Sequence, residues 1–157
     1  KTYILVLLVF LSSQANTIAS ASDARSTQTW SGNIVLGVDY TIDVNDELII
    51  SACSSISMSN GVRIYVEGIL TVEGTSACPV SITSDGSGDH EGIQFNSTSR
   101  GGVSHIENIT IDNAKYGLTI YDSDPFIANI TLNNPDEVGI DLFNFANPTI
   151  NDLDSEG

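Results

Sequence analysis

Gly92-Ile93-Gln94-Phe95, Gly117-Leu118-Thr119-Ile120 and Gly139-Ile140-Asp141-Leu142 are one phrase written three times: glycine, apolar, polar, apolar. A companion phrase keeps nearly the same interval. Asn108-Ile109-Thr110-Ile111 returns as Asn129-Ile130-Thr131-Leu132, and more faintly as Asn151-Asp152-Leu153. Asp124-Pro125-Phe126-Ile127 returns as Asn147-Pro148-Thr149-Ile150. Markers that hold their order at a period of about 22 residues define a repeat architecture. Within each repeat the apolar residues fall at every second position, the period of a half-buried strand rather than a helix. Three strands of about five residues with tight corners need roughly 20 to 25 residues, one coil of a parallel β-helix. A single coil cannot bury its inward face. Coils stacked at about 4.8 Å pair edge to edge and align their inward side chains into ladders. Gly92, Gly117 and Gly139 are expected at equivalent corners, where positive φ or close backbone approach excludes a Cβ. Asp124-Pro125 and Asn147-Pro148 are turn signals. Three unrelated sandwich hairpins are the competing arrangement, but hairpins need no repeated phrase and stacked coils do.

Upstream, Ile64-Tyr65-Val66-Glu67-Gly68-Ile69-Leu70-Thr71-Val72-Glu73-Gly74-Thr75 leads to Cys78-Pro79-Val80-Ser81-Ile82-Thr83-Ser84 and then to Glu91-Gly92-Ile93-Gln94-Phe95. This order resembles the opening rungs of secreted right-handed parallel β-helix proteins of the pectin-lyase-like superfamily. Their usual phrase is V-x-G-x-L-x-V-x-G-T, then P-[IV]-x-[FI]-T-S, then W-x-G-I-x-F. The likeness runs from about Asp46 to Leu153 and departs at the aromatic before the Gly-Ile rung, where His90 and Glu91 stand instead. It implies an all-β solenoid of about five or six coils. It implies no particular activity, since this fold carries lyases, hydrolases, epimerases, adhesins and surface proteins.

The chain of 157 residues has room for one domain. Lys1-Thr2-Tyr3, an apolar run from Ile4 to Leu11 and the small residues Ala19-Ser20-Ala21 compose a secretory signal peptide over residues 1–21. The apolar run is too short to span a membrane, which takes about 20 residues, and the mature segment offers no other span. Residues 22–29 read as a small, polar linker, and 30–157 as the β-helix domain, its first coil covered by Trp30. The chain starts without Met and stops partway through a repeat, so the domain is expected to be C-terminally incomplete. Removing residues 1–21 takes away Lys1 and no acid, leaving 4 basic against 20 acidic residues, net −16. Such a balance argues against nucleic acid and anionic membrane surfaces, which need clustered Lys and Arg. It also disfavours polyanionic substrates unless calcium bridges them, and it suits solubility in an extracellular medium.

Cys53 and Cys78 are separated by close to one repeat. In an exported chain a disulfide between neighbouring coils is expected, with free buried thiols as the other arrangement. Three sequons, at Asn96, Asn108 and Asn129, are glycosylation acceptors in a suitable secretory pathway. Asn96, in a polar loop, is the preferred acceptor. Asn108 and Asn129, one coil apart, also suit an inward asparagine ladder or a corner role. Asp85, Ser87 and Asp89 carry oxygens at the first three positions of a calcium loop, but His90 replaces its sharp-turn glycine and Asn96 its final Glu. A solvated loop is the better reading, and calcium is the one cofactor for which the sequence offers any place. The basic residues Arg25, Arg63, Arg100 and Lys115 are scattered, Asp122 and Asp141 fall at different phases of the repeat, and His105 has no evident partner. No residue is therefore assigned to catalysis.

The expected function is an exported, acidic, non-catalytic structural, adhesive or surface-binding protein at the cell exterior, with extracellular polysaccharide or cell-surface components as partners. Two other readings stand beside it: the N-terminal scaffold of a polysaccharide lyase or glycoside hydrolase whose active site lies beyond residue 157, and a carbohydrate-binding module. The module would need aromatics exposed on one face, with Tyr116, Tyr121, Phe126, Phe143 and Phe145 as candidates.

Overall fold

The structure, a computed structural model, describes residues 25–99 and 103–156. The expected signal peptide, the first part of the expected linker and Arg100 lie outside the described residues. The rest is a parallel β-solenoid of five coils and the opening strand of a sixth. The first coil is β1 (Thr27–Trp30), β2 (Asn33–Leu36) and β3 (Tyr40–Ile42); the second is β4 (Glu47–Ser51), β5 (Ser55–Met58) and β6 (Arg63–Val66). The third is β7 (Ile69–Glu73), β8 (Val80–Ser84) and β9 (Gly92–Phe95). In the next two coils the first two strands merge, giving β10 (His105–Asp112) with β11 (Tyr116–Tyr121), then β12 (Phe126–Asn133) with β13 (Val138–Phe143). β14 (Thr149–Glu156) opens the sixth. The pairings between these strands are parallel, each strand bonding to its counterpart one coil away. Thr27 to Thr29, expected in a linker, pair with Glu47 to Ile49 and belong to the first coil.

Alternation decides which side of each strand is buried. Trp30, Ile50, Val72, Ile106, Ile127 and Ile150 form one file up the interior. Ile34, Ile56, Ile82, Ile111 and Leu132 form a second, and Ile42, Val66, Phe95, Ile120 and Leu142 a third. Most of these side chains are fully covered, and each contributes roughly 1.5–3 kcal/mol over leaving it in water. A one-residue slip would turn a whole file outward, so the apolar alternation fixes the register. Leu142 and Leu153 keep inward-file positions yet are about half exposed, because the last described coil has a neighbour on one side only.

From β10 onward the corners are made by asparagine and aspartate in the left-handed backbone region, whereas Gly32, Cys53 and Gly61 take that region between strands of the first two coils. Asn108 (φ 49°), Asn129 (φ 53°) and Asp152 (φ 55°) stand at one corner in successive coils. Asn113 (φ 55°) and Asn134 (φ 49°) mark the second, Asp122 (φ 44°) and Asn144 (φ 60°) the third. Short polar side chains tolerate this conformation better than other L-residues, and single residues of it turn a strand without a loop. That is why β10 and β12 pass unbroken from one face to the next. Of the three repeated glycines, Gly92 opens β9 where the preceding loop ends, while Gly117 and Gly139 are second in β11 and β13 and so lie within strands rather than at corners. Only Gly92 has positive φ (75°), and a Cβ there would collide with the Tyr116 and Gly117 carbonyls of the next coil; one at Gly117 would collide with the Gly139 carbonyl. Of the two roles expected for Asn108 and Asn129, both take the corner and not the inward ladder: Asn129 is exposed, and the Asn108 amide donates to the Gly74 carbonyl at 3.0 Å.

Opposite Asn108 the third coil bulges. Glu73 pairs with Glu107 and Val80 with Ile109, so residues 74–79 face a single residue of the next coil. Cys53, itself at φ 64°, is disulfide-bonded to Cys78 in this loop, with Cα atoms 4.8 Å apart. The covalent tie anchors this bulged corner to the coil beneath it.

Candidate functional site

The outer face of the sheet β3-β6-β9-β11-β13 gathers side chains the sequence leaves far apart. Tyr65, Gln94, Thr119 and Asp141 are in register across β6, β9, β11 and β13, alternate to the buried files and therefore outward. Two residues further along, Tyr121 and Phe143 are paired, their rings stacked with centroids 4.5 Å apart and planes 11° from parallel. At the other end of the strands stands Tyr116, whose hydroxyl donates to Glu137 Oε2 at 2.6 Å. Arg63, Tyr116, Thr119, Tyr121, Asp141 and Phe143 line a cleft of about 240 Å³. Thr119, only 4% exposed, belongs to its floor. Tyr121 also borders a shallower hollow of about 440 Å³ reaching Glu67, Gln94 and the loop at Asn96.

The charges on this face are mostly paired. Arg63 donates from Nη2 to Glu91 Oε2 at 2.5 Å and from Nη1 to Gln94 Oε1, and its guanidinium lies 5.9 and 5.6 Å from the Tyr65 and Tyr116 ring centres. Its Nε is buried without a hydrogen-bond partner. Lys115 Nζ sits 3.3 Å from Glu137 Oε1, 4.0 Å from Glu91 Oε1 and 5.4 Å from the Tyr116 ring centre. The Glu137 hydrogen bond raises the pKa of Lys115 and of Tyr116, while the Tyr116 hydroxyl lowers that of Glu137. At neutral pH the Lys115–Glu137 pair is therefore ionic and Tyr116 a neutral donor. Asp141 differs: among the described residues no hydrogen bond or ion pair reaches its carboxylate.

Arg63 and Lys115, which look scattered along the chain, thus meet at Tyr116. Arg25 is elsewhere, 3.6 Å from Glu47. The five aromatic candidates divide. Tyr116, Tyr121 and Phe143 share the cleft; Phe126 packs against His105 on another face, centroids 4.5 Å apart; and Phe145 projects at a corner, 88% exposed. His105 does have a carboxylate partner, since its Nε2 lies 2.9 Å from Glu107 Oε1. The i, i+2 spacing on one strand places them on the same side.

In the loop before β9, Asp85 accepts from Ser59 Oγ at 2.6 Å and from the Ser87 amide at 2.8 Å, hydrogen bonds that lower its pKa, Ser59 foremost. The Ser59 bond ties the loop to the coil below, and the Ser87 bond closes the loop on itself. Among the described residues no group of three or more His, Cys, Asp and Glu side chains is placed to hold a metal. His90 is fully buried: Nε2 lies 3.1 Å from the Asp112 carbonyl, and Nδ1 accepts from the Gly92 amide at 3.1 Å. That arrangement needs the neutral ring protonated at Nε2, and burial pushes the pKa below the ordinary 6.5. Of the sequon asparagines, Asn96 donates to Glu67 at 3.4 Å and accepts from Gln94 at 2.7 Å, whereas Asn129 is exposed. A second groove of about 320 Å³ follows the first corner past Asn108, Thr110, Asn129 and Thr131, but contains no aromatic ring.

The fold and this face together define a parallel β-solenoid with an aromatic-walled, polar-floored cleft on one flank. No protein-family model, curated protein or solved structure matches the chain. Among the described residues no helix is long and apolar enough to cross a membrane.

Proposed function

We propose that this chain is an exported, acidic, non-catalytic β-helix protein of the pectin-lyase-like kind, which binds glycan at the cell exterior through the outer face of the β3-β6-β9-β11-β13 sheet. The observation that carries the reading is the cleft in which Tyr116 faces the Tyr121–Phe143 stack across a floor containing Thr119 and Asp141. Sugars present apolar C–H faces rimmed by hydroxyls. Aromatic rings match the first and fixed polar groups the second, the usual composition of a binding cleft. The rigid solenoid holds both at set spacing without a loop to order on binding, which limits the entropic cost. The Cys53–Cys78 disulfide and the acidic composition favour an extracellular setting.

Binding to a panel of insoluble and soluble polysaccharides tests the reading. Retention of the wild-type chain on at least one glycan, with release on Tyr121→Ala/Phe143→Ala substitution, is the expected result. Equal retention of the double variant would move the function to another face.

A further inference from the structure

The geometry points to an amino sugar, with its amine protonated, as the residue taken at the Tyr121 end of the cleft; this rests on the glycan-binding reading above. The two ends of the face differ in charge. At the Tyr116 end Arg63 and Lys115 are engaged by Glu91 and Glu137. At the other end Asp141 lies beside the stacked Tyr121 and Phe143, and Glu67 borders the adjoining hollow. Among the described residues neither Asp141 nor Glu67 is in an ion pair; the Glu67 carboxylate accepts the Asn96 amide. A part-buried carboxylate with no ion pair among the described residues, next to electron-rich ring faces, attracts an ammonium group both through Coulomb attraction and through the ring quadrupoles. The formal charge of −15 deepens the same field around the whole molecule. A uronic acid meets the opposite situation, since Arg63 and Lys115 are already engaged by Glu91 and Glu137 and its carboxylate would face Asp141. A neutral hexose gains the stacking but not the charge. Selection therefore runs from amino sugar to neutral sugar to uronate.

The test is calorimetric titration of the chain, at mildly acidic pH where the sugar amine is protonated, with four β-1,4 or α-1,4 tetramers. They are glucosamine, N-acetylglucosamine, glucose and galacturonate. The expected outcome is binding of the glucosamine tetramer about tenfold tighter than its N-acetylated or neutral counterparts, with galacturonate not bound. Added salt should erode the preference. Asp141→Asn, a substitution at a part-exposed position, should lower the glucosamine affinity far more than that of the neutral tetramers, bringing the glucosamine and N-acetylglucosamine affinities together. Neutral tetramers bound as tightly as glucosamine, or galacturonate bound at all, would overturn the charge selection while leaving glycan binding intact. Binding of none of the four would overturn the amino-sugar assignment, while retention on the polysaccharide panel decides separately whether glycan binding stands.

Discussion

Tyr121 and Phe143 occupy equivalent positions in successive coils, and their rings lie 4.5 Å apart and 11° from parallel. Cross-strand aromatic pairs of this kind contribute on the order of 0.5–1.5 kcal/mol beyond burial. The pair sits outside the core, so Tyr121→Ala is expected to lower stability by no more than about 1.5 kcal/mol. The same substitution should cost glycan affinity about tenfold or more, a loss of the stacking surface. Denaturant titration and calorimetry on the same preparation separate the two effects.

His90 makes the fold sensitive to acid. It is buried as the neutral ring, flanked by Asp112 on β10 and by Asp89 and Glu91 in its own segment, whose charges oppose the burial effect without overcoming it. Its folded pKa lies below the value of 6.5 it has when exposed. Between those two values the unfolded chain binds a proton that the folded chain does not, so stability rises with pH there. The contribution is complete above pH 6.5 and is lost as pH falls below it. Denaturant midpoints measured from mildly alkaline to acidic pH should fall below that point. In His90→Gln the absolute stability should be lower and this segment of the pH dependence absent.

The Cys53–Cys78 bond joins positions separated by 25 in the chain and pins the bulge at residues 74–79 to the second coil. A closed loop of that length restricts the unfolded chain by about 3–4 kcal/mol. Cys53→Ser/Cys78→Ser, or reduction, should lower stability by up to that amount. Amide hydrogen exchange should show the loss of protection starting at residues 74–79.

Asn129 offers a test of the corners at an exposed position, with φ 53°. Asn129→Gly should change stability little, because glycine adopts this conformation readily. Asn129→Ala should cost about 1 kcal/mol, the penalty of a Cβ in the left-handed region. Equal effects of the two would mean that the corner is not held in that conformation.

The solenoid was legible in the sequence because its physical cause is periodic. Alternating Ile, Leu and Val must fall on the inside in every coil, and the turn residues must fall at the same place, so both recur once per coil. The glycine marker misled as to location: Gly117 is required by the Gly139 carbonyl of the neighbouring coil, a contact invisible in one strand. The corner signal lay in the other marker, the asparagine of the Asn-Ile-Thr phrase, for which an inward ladder competed with the corner role. Phe143 and Phe145 have the spacing of one strand face, but β13 ends at Phe143 and the left-handed Asn144 turns the chain before Phe145. The cleft was only partly legible. Tyr116, Tyr121 and Phe143 stood out as aromatics, but Arg63 and Asp141 come from the second and fifth coils, far apart along the chain. Only the stacking of the intervening coils brings them to one face.

The most direct test of the account is to titrate the isotopically labelled chain with a bound oligosaccharide and map the backbone amide shifts. Shifts are expected in a contiguous patch at Gln94, Thr119, Tyr121, Asp141 and Phe143, with the groove at Asn108 and Asn129 unperturbed. Shifts confined to that groove, or to the exposed Phe145 corner, would contradict the account.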